Sequence, residues 1–180
     1  FLRPLKNVNN IILIQESKKD GKMNDTFLGN SCVSGWVYYY KKIKYNNPFI
    51  WHLILDDNDF IKVCKNFNYY MTQQPLFIDE DLKNGRYLKH HSISKTYPIM
   101  RLDDVNFHFI HHKDNKTVLD NFNKRVKRLG DYNLIPVAWK KEIKNLDALE
   151  EFKKLPNSIL ATNVSTQEEA AKQIIRIHGK

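Results

Sequence analysis

Cysteine is scarce: Cys32 and Cys64 are the only two in 180 residues. Two thiols so far apart make no secreted disulfide framework, and no C-x-x-C pair points to zinc. A reducing cytoplasm is therefore the expected compartment. Long hydrophobic runs are also missing. The longest apolar-dominated stretch, Phe49 to Leu55, falls far short of the roughly 18 residues a membrane span needs. Neither the G-x-x-x-x-G-K-[ST] phosphate loop nor the G-x-G-x-x-G dinucleotide fingerprint occurs, which removes the two commonest nucleotide cradles. H-E-x-x-H, RNP, zinc-finger and recognition-helix signatures are absent as well. No metal, no cofactor and no specific nucleic acid is expected. Internal repeats, low-complexity tracts and linkers are not found.

What is present suits a folded chain. Hydrophobic residues make up 42% and aromatics 12%, too much apolar matter for disorder. The length fits one domain over residues 1–180, and such a domain buries roughly 70% of the surface of its unfolded chain. Lys and Arg number 29 against 20 Asp and Glu, a net charge of +9. A basic balance suits nucleic acid, an anionic membrane surface or a phosphorylated ligand. The same excess, carried mostly by Lys beside abundant Asn, Ile and Tyr, also suits a solvated surface encoded by an AT-rich genome.

Hydrophobic periodicity orders the chain into alternating strands and helices. Strands are predicted at Asn10–Gln15, Thr26–Gly29, Phe49–Leu55, Arg86–Ile93, Val105–Ile110, Leu134–Trp139 and Ile159–Thr162. The Phe49–Leu55 run reads as a strand covered on both faces, and Pro136 makes its own strand an edge or a strand start. Helices are predicted over Val33–Ile43 and from Asp56 through Met71 on one apolar face, with Cys64 as a small core residue. A further helix follows Asp114, with Val118, Phe122, Val126 and Leu129 as its stripe, the basic residues Lys124, Arg125, Lys127 and Arg128 off it, and Gly130 as its stop. Leu146–Leu155 and Thr166–Ile175 complete the set. This order predicts an α/β domain with a mainly parallel or mixed sheet and helices on both faces.

Ligands of such sheets bind beyond the carboxyl ends of the strands. Two segments fall there. Asn30-Ser31-Cys32-Val33-Ser34-Gly35 follows a strand and opens a helix, so its backbone N–H groups suit a phosphate or carboxylate, and a thiol aimed at them would have a lowered pKa. A plain helix-capping turn explains the same residues. His108, His111 and His112 end a strand. Positions i and i+3 of a strand lie on opposite faces, which speaks against a metal site, whereas one imidazole suits general acid or base work. Arg125 and Arg128 suit phosphate, or simply a solvated helix face.

The run Asn30-Ser31-Cys32-Val33-Ser34-Gly35-Trp36-Val37-Tyr38, then Tyr45-Asn46-Asn47-Pro48-Phe49, resembles the opening of a bacterial family labelled exopolysaccharide or lipopolysaccharide biosynthesis proteins. Tyr97-Pro98-Ile99, Leu102-Asp103-Asp104-Val105, His108-Phe109-Ile110-His111, Arg125-Val126-Lys127-Arg128 and Asp131-Tyr132-Asn133 continue the likeness, which spans about residues 26–163. The chain departs from the family pattern at Val33-Ser34-Gly35, where Trp-Gly-Gly is usual, and at Lys140-Lys141-Glu142. The resemblance implies a cytoplasmic protein of cell-surface polysaccharide assembly, peripheral at the inner face of the membrane. On that reading it is a transferase with a phosphorylated or sugar-bearing small molecule as partner. Asn30, Ser31, Gly35, His108, Arg125 and Arg128 are then expected to hold the ligand, with His111 as base. Two alternatives stand beside it: a Cys32 nucleophile with His108 or His111 as base in acyl transfer or hydrolysis, and a non-enzymatic partner of an assembly complex docked by its basic face.

Overall fold

A computed structural model describes residues 23–85 and 96–180; the strands expected at 10–15 and 86–93 lie outside the described residues. Three strands, β1 (Asn24–Gly29), β5 (Tyr132–Trp139) and β6 (Ile159–Ala161), form a parallel sheet in the order β1-β5-β6. Three shorter ones, β2 (Leu76–Ile78), β3 (Ile99–Leu102) and β4 (Val105–His108), form an antiparallel sheet in chain order. The α/β expectation holds, with the sheet content divided in two.

Side chains alternate across the parallel sheet and so feed two cores. Phe27, Ile135 and Val137 pack with Val33 and Val37 of α1 (Val33–Lys41) and with Ala170, Ala171 and Ile174 of α6 (Gln167–His178). Leu28 and Ala138 face the other way. They join a core built from α2 (Asp57–Lys65), α3 (Phe67–Thr72), α4 (Asn115–Leu129), α5 (Leu146–Lys154) and the antiparallel sheet. Helices therefore cover both faces. Their starts are chemically marked: the carboxylates of Asp56 and Asp114 and the hydroxyl of Thr166 accept from backbone N–H groups of the first turns.

Three expectations are corrected. Phe49–Leu55 is not a strand. It is a buried irregular segment held by one bridge, Leu53 to His108, with backbone bonds of 2.8 and 2.9 Å, and by Ile54 N–H donating to the Asn30 carbonyl at 2.8 Å. Trp51, at φ 58°, turns the chain out of the extended region in the middle of it. The helix expected over Asp56–Met71 is two helices, broken at Asn66 (φ −129°), although Phe60, Ile61, Cys64 and Phe67 face one core as predicted. Pro136 lies inside the central strand rather than at an edge. β6 joins only from Val137 onward, so Pro136 precedes the stretch paired on both sides. The hairpin β3–β4 turns through Asp103 at φ 51°, and β3 itself was not expected.

Candidate functional site

β1 delivers the turn Asn30-Ser31-Cys32 to the carboxyl end of the parallel sheet, and α1 starts at once. Gly35 sits against the face of Trp51: a Cβ there would lie 2.7 Å from the indole. Asn30 and Ser31 are buried. The Asn30 carbonyl is taken by Ile54, and its side-chain oxygen has no partner. The Ser31 hydroxyl donates to the carboxylate of Glu142, just beyond β5, whose other oxygen accepts from Gln167 Nε2. Burial raises the Glu142 carboxyl pKa against the pull of these two donors.

The lowered thiol pKa, expected if the Cys32 sulfur were aimed at the helix-start N–H groups, is corrected. Its sulfur is buried, it makes no side-chain cap, and burial followed by the charge of Glu142 pushes its pKa up to about 12. It is a protonated thiol at neutral pH. Among the described residues no hydrogen bond joins it to His111, whose exposed ring stands nearly perpendicular to Trp51 with 5.9 Å between ring centroids.

His108 is also corrected as a ligand-binding residue. It is fully buried, with Nε2 at 2.8 Å from Asp81 and Nδ1 at 2.9 Å from the Tyr97 hydroxyl. Both ring nitrogens are thus used inside the protein, where they tie β4 to the Asp81 turn. That turn is itself closed by Lys83 and Asn84 N–H groups donating to the Asp81 carboxylate.

Arg125 is the third correction. Sequence reasoning put it off the apolar stripe, yet it is 8% exposed. Positions 118, 122, 125 and 129 recur at spacings of 4, 3 and 4, so the helical period sets Arg125 in the apolar stripe with Val118, Phe122 and Leu129. Its guanidinium lies 5.2 Å over the Tyr45 ring, and Nη1 has no hydrogen-bond partner. Among the described residues the ionisable groups that act on it are Tyr45, Arg128 and Tyr38, with no carboxylate among them. Arg128, one turn on and exposed, donates from Nη1 to the Tyr45 carbonyl at 2.8 Å.

Two further histidines carry buried, unpartnered ring nitrogens. His52, fully buried, is ringed by Phe49, Phe107 and Phe109 at 5.6–6.2 Å between centroids. Neither of its ring nitrogens makes a well-formed hydrogen bond, although the Phe49 and Gly29 backbones lie alongside. His112 packs on Phe109 at 5.3 Å with Nδ1 buried and unpartnered. Burial, with the Arg125 charge beside them, lowers the pKa of His52 to about 3 and of His112 to about 4. His52 was missed, although a histidine within an apolar run is the kind of buried polar residue that calls for an explanation. Glu142 was missed because nothing in the sequence ties it to Ser31, 111 residues earlier.

The structure thus yields two clusters, Ser31–Glu142–Gln167 at the sheet's carboxyl rim and Arg125 with Arg128 at Tyr45, while His52 and His112 both pack on Phe109. An open cavity of 620 Å³ lined by Tyr40, Val164, Glu169, Lys172, Ile175 and Arg176 shares no residue with either. Among the described residues, no three His, Cys, Asp or Glu side chains are placed to hold a metal ion, and no helix is long and apolar enough to cross a membrane.

Fold and site define a mixed α/β protein whose basic helix turns one arginine, Arg125, inward. Residues 5–179 match a family described as a domain of unknown function, DUF1919, and the chain belongs to that family. It is 23% identical over 140 residues to an uncharacterized protein of Haemophilus influenzae, a match covering 77% of this chain and 61% of the relative. The chain thus spans less than two thirds of that relative's length.

Proposed function

We propose that the protein binds a phosphorylated small molecule at the Arg125–Arg128 cluster and acts as a transferase in cell-surface polysaccharide assembly. One observation carries the binding half: Arg125 is buried with an unpartnered Nη1 and, among the described residues, no carboxylate acts on its charge. An isolated buried cation is unfavourable until an anion completes it, and guanidinium is well shaped for phosphate. The pathway half rests on the motif resemblance over residues 26–163. In this reading Arg125 and Arg128 neutralise phosphate. His111 reaches solvent while part of its ring is covered, which lowers its pKa; in this reading it takes a proton at the rim. We assign this activity to the cytoplasm, where the free thiols of Cys32 and Cys64 stay reduced.

Isothermal titration with nucleotide sugars and a polyprenyl-phosphate analogue tests the proposal. At least one should bind, with affinity lowered about tenfold or more in Arg125→Ala, a loss expected of a charged hydrogen bond. No binding by any of them, with pathway product unchanged in both Arg125→Ala and Arg128→Ala, removes it.

A further inference from the structure

The 620 Å³ cavity opens between the end of α1 and one face of α6. Glu169, Lys172 and Arg176 recur along α6 at spacings of three and four, so a single stripe of that helix lines it. Ile175 of the same helix, Val164 of the loop before it and the ring of Tyr40 from α1 supply half-buried apolar walls. Measured contacts hold the walls together. The Tyr40 hydroxyl donates to Glu168 at 2.7 Å, and the Trp36 ring stacks on Tyr40 with 5.9 Å between centroids. Lys172 Nζ stands 4.9 Å over the Tyr40 ring.

The carboxylates here are already engaged. Glu168 holds the Tyr40 hydroxyl. Glu169 Oε2 accepts from the Ser165 N–H at 2.7 Å, while the Glu169 N–H donates to Thr166 Oγ1 at 3.1 Å, which closes the helix start. The cations are not engaged. Among the described residues neither Lys172 nor Arg176 makes an ion pair or a hydrogen bond, and Lys172 has only the face of Tyr40. Glu168 and Glu169 lie one turn before Lys172, where a helix ordinarily pairs such charges, yet both carboxylates serve other donors. Two exposed cations one turn apart thus face an apolar hollow with their charge unspent.

We propose that this cavity is a second ligand site, for a phosphate monoester of an apolar or aromatic alcohol. Lys172 and Arg176 hold the phosphate, and Val164, Ile175 and Tyr40 cover the body of the alcohol. Binding is non-covalent, and no bond of the ligand breaks. The volume of 620 Å³ lies within the roughly 300–1,000 Å³ of small-molecule sites, which likewise combine apolar walls with a few polar groups. Bare phosphate would leave those walls wet, and an uncharged body would leave both cations without an anion. The site shares no residue with the Arg125 cluster and does not rest on the ligand reading of that cluster. With both sites filled, the chain holds two phosphate-bearing molecules at once, as a transfer between two substrates requires.

The test is titration of the full, 15N-labelled chain with phenyl phosphate, followed by amide chemical shifts, with inorganic phosphate and phenol as the two half-ligands. Phenyl phosphate should shift the amides of Tyr40, Val164, Lys172, Ile175 and Arg176 in one saturable transition, about tenfold or more tighter than either half-ligand. A chain carrying Lys172→Ala with Arg176→Ala is altered only at exposed positions, so it should fold as before. It should lose about tenfold or more in affinity at these amides. Shifts near Arg125 with none on α6 overturn the second site and leave the first reading intact. Inorganic phosphate binding α6 as tightly as phenyl phosphate overturns the apolar half of the proposal. Affinity unchanged in the double variant overturns the role of the two cations. Sedimentation with vesicles of phosphatidic acid and phosphatidylcholine separates the sources. Wild type carried down with them, and the double variant left behind, supports the same chemistry drawn from a membrane. Phenyl phosphate binding without sedimentation supports a free ligand, and neither result overturns the site.

Discussion

A guanidinium withdrawn from water with no carboxylate beside it is a liability that most folds avoid. Arg125 shares the buried stripe of its helix with Val118, Phe122 and Leu129, and its head rests on Tyr45. The same residue-scale reasoning distinguishes the two side chains of the rim turn. Ser31 has an acceptor for its proton in Glu142, whereas Cys32 has only burial and a repelling carboxylate. With a thiol pKa near 12, Cys32 in the folded chain should react with iodoacetamide only slowly and with a rate that climbs steadily up to strongly alkaline pH. A fast reaction that levels off near neutral pH, followed by mass spectrometry, would show an activated thiolate and restore the cysteine reading.

At the scale of elements, the site depends on an irregular segment pinned between α1 and β4. Trp51 adopts a left-handed backbone, packs its indole on Gly35 and donates from Nε1 to the Tyr45 hydroxyl at 3.2 Å. Tyr45 in turn is the platform for Arg125 and the carbonyl acceptor for Arg128. Gly35→Ala would drive a methyl group to 2.7 Å from the indole. We expect a loss of about 1–3 kcal/mol, the usual cost of overpacking, read by urea denaturation. An unchanged midpoint would mean that Trp51 is free to move and that the platform is not rigid. The helices were legible in the sequence because their caps and periods are local: Asp56, Asp114 and Thr166 accept the bonds that a helix start requires. The 49–55 segment was not, because burial on all sides produces the same apolar run whether or not a ladder forms. Arg125 was misplaced although the period was correct; its charge was given more weight than its spacing. The rim turn at residues 30–35 was found from strand-then-helix order, but its partner Glu142 and the companion His52 arrive through tertiary contact alone.

Across the whole molecule, two sheets share the work. The parallel sheet presents the Ser31–Glu142 rim. The antiparallel sheet, through His108 with Asp81 and Tyr97, holds the strand that leads to His111 and His112. The net charge of +9 is consistent with drawing anions toward such a site. Membership of the DUF1919 family names no reaction, so the physical claim that matters is that the buried cation exists for an anionic ligand. Thermal unfolding of the wild-type chain and of Arg125→Met, each with and without millimolar inorganic phosphate, tests it most directly. Phosphate should raise the wild-type Tm, as any ligand of the native state does. The variant should be at least as stable as wild type without phosphate, since an apolar side chain replaces an unpaired buried charge, and should not respond to phosphate. A variant that loses stability and still gains as much from phosphate as the wild type would contradict the account.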